Sequence, residues 1–419
     1  MSKNQIRSIK GTQDILPKES LKWRILEKKI HDTMELFNYG EIRTPAFEKT
    51  ELFDRGVGMQ TDIVTKEMYS WVDQGGESLT LKPELTAPVS RAYIQHSLGI
   101  QKPLTKLYYI DALFRRERPQ KGRFRQFHQY GVEAFGSEHP EIDSEVISIA
   151  VRLFKELGVK DLTLKLNSIG SENCREDYKK ELKKFLKPHL NDLSANSQKR
   201  FETNPLRILD TKSPAEMEII KNAPEIFTFW TKEDEEHFKE LCTLLDTLKI
   251  KYTIDSNLVR GLDYYSRTTF EIIAPSLGAQ NAICGGGRYD KLIEMIGGKP
   301  TPGIGFAAGI ERILMSLENY PDSNTIDIFV AGIGPNVRQT VFMVADELRQ
   351  NNLSTECDML RRSIKSQLRE ANKIGAKYAI IIGDKELEKN IAEVKNLENG
   401  NQEKVKIESI ISHMTSLSF

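Results

Sequence analysis

Paired cysteines, an excess of one charge and long apolar runs are all missing from this sequence. The four cysteines (Cys174, Cys242, Cys284 and Cys357) include no Cys-x-x-Cys pair, which argues against a disulfide framework and against a zinc ribbon. Lysine plus arginine and aspartate plus glutamate both total 60, so any contact with nucleic acid must depend on local basic patches. No stretch approaches the ~20 apolar residues of a membrane span, and no apolar signal core follows the N-terminus. We therefore expect a cytoplasmic protein with no membrane partner.

Glycine is absent from residues 171–249, which are charged and helical in pattern. A chain of 419 residues is too long for one ordinary core, so two or three domains are expected. The predicted helices 179–186 and 232–248 make this segment a helical insertion. Its lysines (Lys179, Lys180, Lys183 and Lys184) either form a solvated face or contact RNA.

Residues 108–135 contain the most informative pattern. An aromatic-rich run ends at Phe114 and a second resumes at Phe124, after a loop with a Pro-Gln-Lys-Gly turn. Two such runs predict an antiparallel hairpin. Alternate residues of a strand share one face. On that face the second arm carries an aromatic ring, an amide and a carboxylate, with a glycine that leaves space between the last two. These residues are Phe127, Gln129, Gly131 and Glu133.

Arginines crowd the loop of this hairpin, and guanidinium suits bidentate contacts to phosphate or carboxylate. They are Arg115, Arg116, Arg118, Arg123 and Arg125. The pattern predicts a site where a polyphosphate meets a small polar ligand. The alternative is a solvated hairpin whose arginines pair with nearby glutamates.

The run Phe-Arg-Arg-Glu-Arg-Pro-Gln-Lys-Gly-Arg-Phe-Arg-Gln-Phe-His-Gln (114–129) resembles motif 2 of the class II aminoacyl-tRNA synthetases, in the form found in the histidyl-tRNA synthetase family. Arg-Gly-Leu-Asp-Tyr-Tyr (260–265) and Ala-Ile-Cys-Gly-Gly-Gly-Arg-Tyr-Asp (282–290) resemble two peptides particular to that family. Gly-Ile-Gly-Phe-Ala-Ala-Gly-Ile-Glu-Arg-Ile-Leu (303–314) resembles class II motif 3.

The residues of these peptides carry their own expectations. Arg260 beside a glycine suits an anion that must be approached closely. Tyr264 and Tyr265 are expected on opposite faces of a new strand. The three glycines are expected to follow a strand and to let a ligand touch backbone. Arg312 falls in the first turn of a helix beginning near Gly309, where the positive helix end also faces phosphate.

The segment Leu-Thr-Leu-Lys-Pro-Glu-Leu-Thr-Ala-Pro (79–88) resembles the Pro-Glu-x-Thr element that holds the amino group of the amino acid in that family. Leu85 stands where many relatives carry a small residue, and Thr86 could equally be the N-cap of a helix starting near Pro88. A helix at 18–37 and a strand at 41–48 closed by Pro45 resemble motif 1, which builds the homodimer interface of class II enzymes. The same pair could pack within one subunit.

Residues 325–419 form the last predicted domain, after a polar linker at 321–325. Strands at 326–331, 354–359 and 378–382 alternate with helices at 337–350 and 363–374, which predicts a parallel α/β sheet. The position and pattern resemble the anticodon-binding domain of this synthetase group. Basic residues at every fourth position are expected on one helical face, either as a surface stripe or as a ridge along RNA: Arg361, Lys365, Arg369, Lys373 and Lys377.

The resemblance implies an α+β catalytic core (1–170 and 250–322) with an antiparallel sheet flanked by helices, the helical insertion (171–249) and an anticodon-binding α/β domain (325–419) with a mostly parallel sheet. It also implies an ATP-dependent ligase that joins L-histidine to a histidine-specific tRNA through histidyl-adenylate, and that forms a homodimer.

The resemblance further implies roles for residues of this chain. Arg115 and Arg260 would contact the α-phosphate and the carboxylate, and Arg123 and Arg312 would hold the outer phosphates. Mg²⁺ would bridge the phosphates, and no protein side chain is predicted as its ligand. Phe127 would stack on adenine and Glu117 would accept from its amine. Glu84, Thr86 and Gln129 would take the ammonium group, and Glu133, Tyr264 and Tyr265 would hold the imidazole. Leu85 would also belong to the histidine site. Arg361, Lys365 and Arg369 would contact tRNA.

Two alternatives give the chain another role. A synthetase-like regulatory subunit of histidine biosynthesis would not charge tRNA, and it would be expected to lose the C-terminal domain and to degrade the 260–265 peptide. Both are intact here. The C-terminal domain could also be a protein-docking module.

Overall fold

The computed structural model describes residues 6–59, 61–120, 122–211, 213–278, 281–317 and 326–417. It divides into two compact units, Met1–Tyr320 and Pro321–Phe419. The predicted insertion belongs to the first unit, and the predicted linker at 321–325 lies outside the described residues. Across the described residues, no helix combines the length and the apolar character that crossing a membrane requires.

The first unit begins with a mixture of helices and strands. They are α1 (Pro17–Phe37), β1 (Gly40–Glu41), β2 (Phe47–Lys49), α2 (Thr50–Phe53), β3 (Tyr69–Val72), β4 (Ser78–Leu81), α3 (Thr86–Gln95), α4 (Leu98–Gln101), β5 (Thr105–Phe114), β6 (Gln126–Phe135), α5 (Pro140–Glu156) and β7 (Thr163–Ser168). The segment between α2 and β3 contains two π-helical turns, Asp54–Gly58 and Ile63–Glu67.

The insertion is helical, as predicted, and the chain then returns to the sheet. Its helices are α6 (Glu172–Leu186), α7 (Ala195–Thr203), α8 (Pro214–Ile220) and α9 (Lys232–Thr247), with short 3₁₀ turns between them. The remaining elements are β8 (Thr253–Ile254), β9 (Ser266–Ile273), β10 (Ala282–Arg288), α10 (Leu292–Met295), β11 (Gly303–Gly309) and α11 (Ile310–Ser316).

An eight-stranded sheet in the order β1-β5-β6-β11-β10-β9-β7-β8 forms the centre of this unit. Its two outer pairings are parallel and all inner ones are antiparallel. The predicted hairpin is present, with β5 and β6 paired from Thr105↔Phe135 to Phe114↔Gln126. Because β6, β11, β10 and β9 are neighbours, the hairpin, motif 3 and the glycine-rich peptide lie side by side.

The two faces of the sheet differ as the alternation in β6 predicts. Tyr130, Val132 and Ala134 are buried in a core with α5, with α9 and with the apolar stripe of α1, formed by Trp23, Leu26, Ile30 and Met34 at helical spacing. The opposite face carries Phe127, Gln129, Gly131 and Glu133 toward the polar site. The apolar layer therefore fixes the strand that presents the polar side chains.

Three local predictions are wrong. The predicted strand at 41–48 is two strands in different sheets, because Pro45 interrupts it: β1 pairs with β5, and β2 joins a three-stranded sheet in the order β2-β4-β3. Tyr264 and Tyr265 precede β9 instead of lying within a strand. The three glycines lie inside β10, where they pair with β9 and β11 on either side.

The second unit is an α/β sheet with helices. Its elements are β12 (Ile326–Ile333), α12 (Arg338–Gln350), β13 (Thr355–Cys357), α13 (Ile364–Lys373), β14 (Ala376–Gly383), α14 (Asp384–Glu388), β15 (Ile391–Asn396), β16 (Gln402–Lys406) and α15 (Ile410–Ser416). The sheet order is β13-β12-β14-β15-β16.

The predicted parallel core of β13, β12 and β14 is confirmed, but the sheet is mixed and not mostly parallel. The pairings β14–β15 and β15–β16 are antiparallel. The missed hairpin turns near Asn399-Gly400, where Gly400 has φ +79°. An Asn-Gly pair between alternating runs is a strong hairpin indicator.

The predicted basic face is also wrong as a single helical stripe. Only Lys365, Arg369 and Lys373 lie on α13. Arg361 precedes the helix with a left-handed φ of +55°, and Lys377 lies in β14, 3.1 Å from Asp327.

Candidate active site

Two adjoining cavities lie on the polar face of the eight-stranded sheet. Their volumes are ≈ 420 and ≈ 890 Å³. Side chains that line both include Arg115, Glu117, Arg123, Gln129, Arg260 and Glu271. The structure thus brings two of the five predicted hairpin arginines, Arg115 and Arg123, together with Arg260, although more than a hundred residues separate them. Arg116, Arg118 and Arg125 do not line either cavity.

The larger cavity contains the loop side of the hairpin. The Arg115 guanidinium lies 5.2 Å from the centroid of the Phe127 ring, and its Nε donates to the Pro83 carbonyl at 2.8 Å. Arg123 Nη1 lies 3.1 Å from Glu117 Oε2, and Arg115 Nη1 lies 3.8 Å from Glu117 Oε1. The arginines therefore do pair with a glutamate, as the solvated-hairpin alternative expects, but they do so in the wall of a cavity.

Arg312 closes the same cavity from motif 3. Helix α11 starts directly after β11, so Arg312 lies in its first turn. Its Nη1 donates to the Ala282 carbonyl at 2.6 Å, and its Nε donates to the Gly122 carbonyl at 3.5 Å. Burial and the nearby charge of Arg123 lower the pKa of Arg312. Because two guanidiniums repel each other, an anion between them would be stabilised.

Glu84 and Thr86 lie in the smaller cavity and resolve the N-cap alternative. The Glu84 carboxylate accepts from the backbone N–H groups of Thr86 and Ala87, both at 2.9 Å, so Glu84 caps the first turn of α3. Thr86 is not the cap, because it is already the first residue of α3, and its hydroxyl donates to Glu133 at 2.8 Å. Burial raises the pKa of Glu84 to about 6. Leu85 is buried between them and also lines the cavity.

Glu133 is buried beneath the smaller cavity and accepts three hydroxyls. Thr86 donates at 2.8 Å and Tyr109 at 3.1 Å, and Tyr289 donates to the other carboxylate oxygen. Burial raises the pKa of Glu133 to about 8, although these hydroxyls oppose the shift. The sequence predicts Glu133 beside Tyr264 and Tyr265, and it gives no role to Tyr109 and Tyr289, which are its hydroxyl partners.

Tyr264 and Tyr265 line the cavity beside Tyr289. Their ring centroids lie 4.8 Å apart, and those of Tyr264 and Tyr289 lie 5.6 Å apart. Gly131 explains how Tyr109 reaches the site: a Cβ at Gly131 would lie 2.4 Å from the Tyr109 hydroxyl oxygen. The strand register Tyr109↔Gly131 is the indicator that would have found this tyrosine.

Arg260 lies over the glycine strand. Its Nη1 donates to Glu271 Oε1 at 2.7 Å, and a Cβ at Gly285 would lie 2.3 Å from its Nη2. A Cβ at Gly286 would lie 2.2 Å from the Gly305 carbonyl oxygen. The expectation that a ligand touches the glycine backbone is therefore wrong at Gly286, where protein atoms fill the space, whereas Gly285 lines both cavities.

Comparison with known proteins shows which family the chain belongs to. The family model described as Histidyl-tRNA synthetase matches residues 11–313, and the model described as Anticodon binding domain matches residues 327–417. The chain belongs to the histidyl-tRNA synthetase family. This confirms the family and the fold class inferred from the sequence.

Relatives of this histidyl-tRNA synthetase family member match over nearly their full length. The histidine–tRNA ligase of Acetivibrio thermocellus is 48% identical over 409 residues, covering 97% of this chain and 98% of that protein. That of Halothermothrix orenii is 47% identical over 416 residues, covering 98% and 99%. The structure of apo histidyl-tRNA synthetase from S. aureus has a TM-score of 0.83 at 37% identity, covering 98% of this chain and 100% of that one.

The insertion of this family member supplies part of the cavity wall. No local pattern in the sequence predicts this. Its residues in the larger cavity include Ser194, Asn196, Ser197, Arg200, Asp210 and Glu216. Arg207 of the insertion lies 3.2 Å from Asp62, beside the second π-helical turn of the core. The insertion therefore closes one side of the site.

Proposed function

We propose that the protein is a histidine–tRNA ligase that activates L-histidine with ATP and then transfers it to the 3′ end of its tRNA. The observation that carries this proposal is the shared lining of the two cavities. A carboxylate among hydroxyls lies at one end, guanidiniums lie at the other, and Gln129 and Arg260 belong to both. An amino acid and a nucleotide bound there would meet at Arg260.

The smaller cavity suits histidine. Glu133 would accept an imidazole N–H, and Tyr264 and Tyr265 would enclose the ring. Each oxygen of Glu84 accepts one backbone N–H and keeps a further lone pair, so Glu84 can also accept from the ammonium group with Thr86 and Gln129. A buried site built from a carboxylate and hydroxyls rejects apolar isosteres, because those groups would remain unpaired.

The larger cavity suits ATP. Attack of the histidine carboxylate on the α-phosphate concentrates negative charge on the phosphate oxygens, and pyrophosphate leaves. Arg115 and Arg260 would stabilise that charge, and Arg123 and Arg312 would bind the outer phosphates. Phe127, with Arg115 on one side of its ring, would stack on adenine, and Glu117 would accept from the adenine amine.

Mg²⁺ is proposed to arrive with ATP and to neutralise the phosphate charges. Carboxylate oxygen is a ligand that Mg²⁺ prefers, and Glu271 supplies one in both cavities. Among the described residues, no group of three His, Cys, Asp or Glu side chains is placed to hold a metal ion. A magnesium site in which the Glu271 carboxylate and the ATP phosphates share the ion fits these residues.

The C-terminal unit is proposed to bind the anticodon arm of a histidine-specific tRNA. Arg361, Lys365 and Arg369 are exposed around the start of α13. Changing all three to alanine should weaken tRNA binding and lower the slope of log affinity against log salt by about 3, roughly one per phosphate contact. Pyrophosphate exchange should be unchanged, because the three residues belong to the other unit.

A matched control removes the same charge elsewhere in this unit, at the exposed Lys389, Lys404 and Lys406. Filter binding of labelled tRNA over a range of salt concentrations compares the two triple variants. Equal losses of tRNA affinity in the two variants would exclude a specific role for Arg361, Lys365 and Arg369. Unchanged affinity in both would favour the protein-docking alternative.

We propose a second copy of this chain as the partner of the three-stranded sheet. Phe47 and Trp71, with ring centroids 6.0 Å apart, are 50% and 40% exposed there, and Val72 is 68% exposed. Apolar side chains grouped at the surface indicate an interaction site, and β2 belongs to the motif 1 region. Sedimentation equilibrium should give the mass of two chains, and the mass of one chain would exclude the dimer.

A cytoplasmic location is proposed from the four cysteines, all of which are free. Histidine-dependent activity should be recovered from the soluble cell extract, and its recovery only from an oxidising compartment would contradict this.

ATP–pyrophosphate exchange with each of the twenty amino acids tests the proposed function. Exchange should depend on histidine alone, and tRNA charging should follow with the same amino acid. A regulatory subunit would instead bind histidine without charging tRNA. Exchange with another amino acid, or none with histidine, would exclude the proposal.

A further inference from the structure

The peptide that carries the two pocket tyrosines, 263–267, is held by the helical insertion at alternate positions. Asn204 Nδ2 donates to Asp263 Oδ1 at 2.7 Å. Arg175 Nη1 donates to the backbone carbonyl of Tyr265. Arg267 Nε donates to Asp234 Oδ1 at 3.3 Å. These contacts come from three parts of the insertion: α6, the end of α7 and the start of α9.

The sheet supports only the end of this peptide, at Ser266 and Arg267. Residues 258–265 form no strand or helix, and the backbone N–H of Asp263 reaches the Val57 carbonyl only at 3.5 Å. Strand β9 begins at Ser266, after both tyrosines. The contacts from the insertion therefore hold the backbone of this peptide, while the rings of Tyr264 and Tyr265 pack on each other and on Tyr289.

The backbone at Arg267 stores strain at the point where the insertion starts. Its φ of +45° is a left-handed conformation that an arginine rarely adopts. Arg267 N donates to the Gly170 carbonyl at 2.9 Å, and Ile169 N donates to the Arg267 carbonyl at 2.8 Å. Such a conformation persists only where the surrounding contacts determine it.

Asp234 joins the first residue of the insertion and the start of its last helix to that same point. Its carboxylate accepts from the backbone N–H of Ser171 at 3.1 Å and from the Ser171 hydroxyl at 2.8 Å, and it also caps α9 together with Thr231. The position of the insertion and the conformation of the tyrosine peptide are thus coupled through short, direct contacts.

We propose that the insertion controls histidine binding, with Arg175, Asn204 and Asp234 as positioning residues that hold Tyr264 and Tyr265 in the pocket. The proposal rests on the proposed function, since it requires histidine to bind beside these tyrosines. Arg175 acts through a backbone carbonyl and Asn204 through Asp263. Tyr264 and Tyr265 line the smaller cavity and not the larger one, so the affinity for ATP is not controlled through them.

Arg175→Ala tests the coupling most directly. In pyrophosphate exchange with the full-length protein, the KM for histidine should rise about 10-fold, while the KM for ATP should stay within about twofold. Arg175→Lys should restore most of the affinity, because an ammonium group can donate to the same carbonyl. Lys180→Ala is the matched control, since Lys180 lies on the same helix, is exposed and pairs with Asp177.

Asn204→Ala removes a second contact independently and should raise the KM for histidine in the same direction. It also carries the test if Arg175→Ala fails to fold. A KM for histidine within twofold of wild type in the folded variants, or equal increases in both KM values, would overturn the inference. A wild-type protein without histidine-dependent exchange would instead overturn the proposed function.

Discussion

Arg260→His is expected to lower histidine-dependent pyrophosphate exchange by about 10²–10³-fold, the cost of losing one preorganised contact to developing charge. Arg260 lines both cavities, and Gly285 leaves the space that its guanidinium occupies. An imidazole is shorter and cannot make the same forked contact with phosphate and carboxylate. The loss should appear mainly in kcat, because the charge on phosphate develops in the transition state.

The fold should survive this change. Glu271, the partner of Arg260, is 23% exposed at its side chain, so water can solvate the released carboxylate. Arg152→His serves as the control, since Arg152 is half exposed on α5 and pairs with Glu156 in the next turn. Exchange near the wild-type rate in Arg260→His would remove Arg260 from the catalytic residues.

Glu133→Ala should raise the KM for histidine by about 10²-fold or more while changing the KM for ATP only a few-fold. The variant loses the acceptor of the imidazole N–H and leaves the hydroxyls of Thr86, Tyr109 and Tyr289 without it. Each unpaired buried group costs about 1–3 kcal/mol, so the melting temperature should also fall. Equal losses for histidine and ATP would show that Glu133 has a structural role.

Glu133→Gln keeps the side-chain volume and an acceptor oxygen but removes the titratable carboxyl group, so it isolates the effect of that group on stability. Burial raises the pKa of Glu133 from 4.5 to about 8, so the folded protein binds this proton more tightly than the unfolded chain. The free energy of unfolding should therefore decrease as pH rises from about 4.5 to about 8. Urea unfolding at several pH values should show a smaller decrease in the glutamine variant. Parallel pH profiles would contradict this.

The parts of the fold that the sequence predicts are those with strong local patterns. The apolar stripe of α1 and the alternation in β6 follow directly from helix and strand periods, so the buried and polar faces of both elements were predictable. Motif 3 was predictable too, because its small residues end where α11 begins.

The contacts that were missed depend on strand register and on distant segments. Tyr109 and Tyr289 reach Glu133 from two other strands or strand ends, which no local pattern specifies. Tyr264 and Tyr265 were expected inside a strand, but they precede β9, whose second residue, Arg267, has a left-handed φ and contacts the insertion. The wall formed by Arg200 and Asp210 likewise depends on how the insertion packs.

A crystal structure with a non-hydrolysable analogue of histidyl-adenylate tests the central claim most directly, because one molecule then carries both the imidazole and the adenosine. We predict an imidazole nitrogen within hydrogen-bond distance of Glu133, the adenine on the Phe127 ring, and Arg260 at the bond between amino acid and phosphate. An analogue bound with its imidazole and adenine away from these side chains, or in another cavity, would contradict the account.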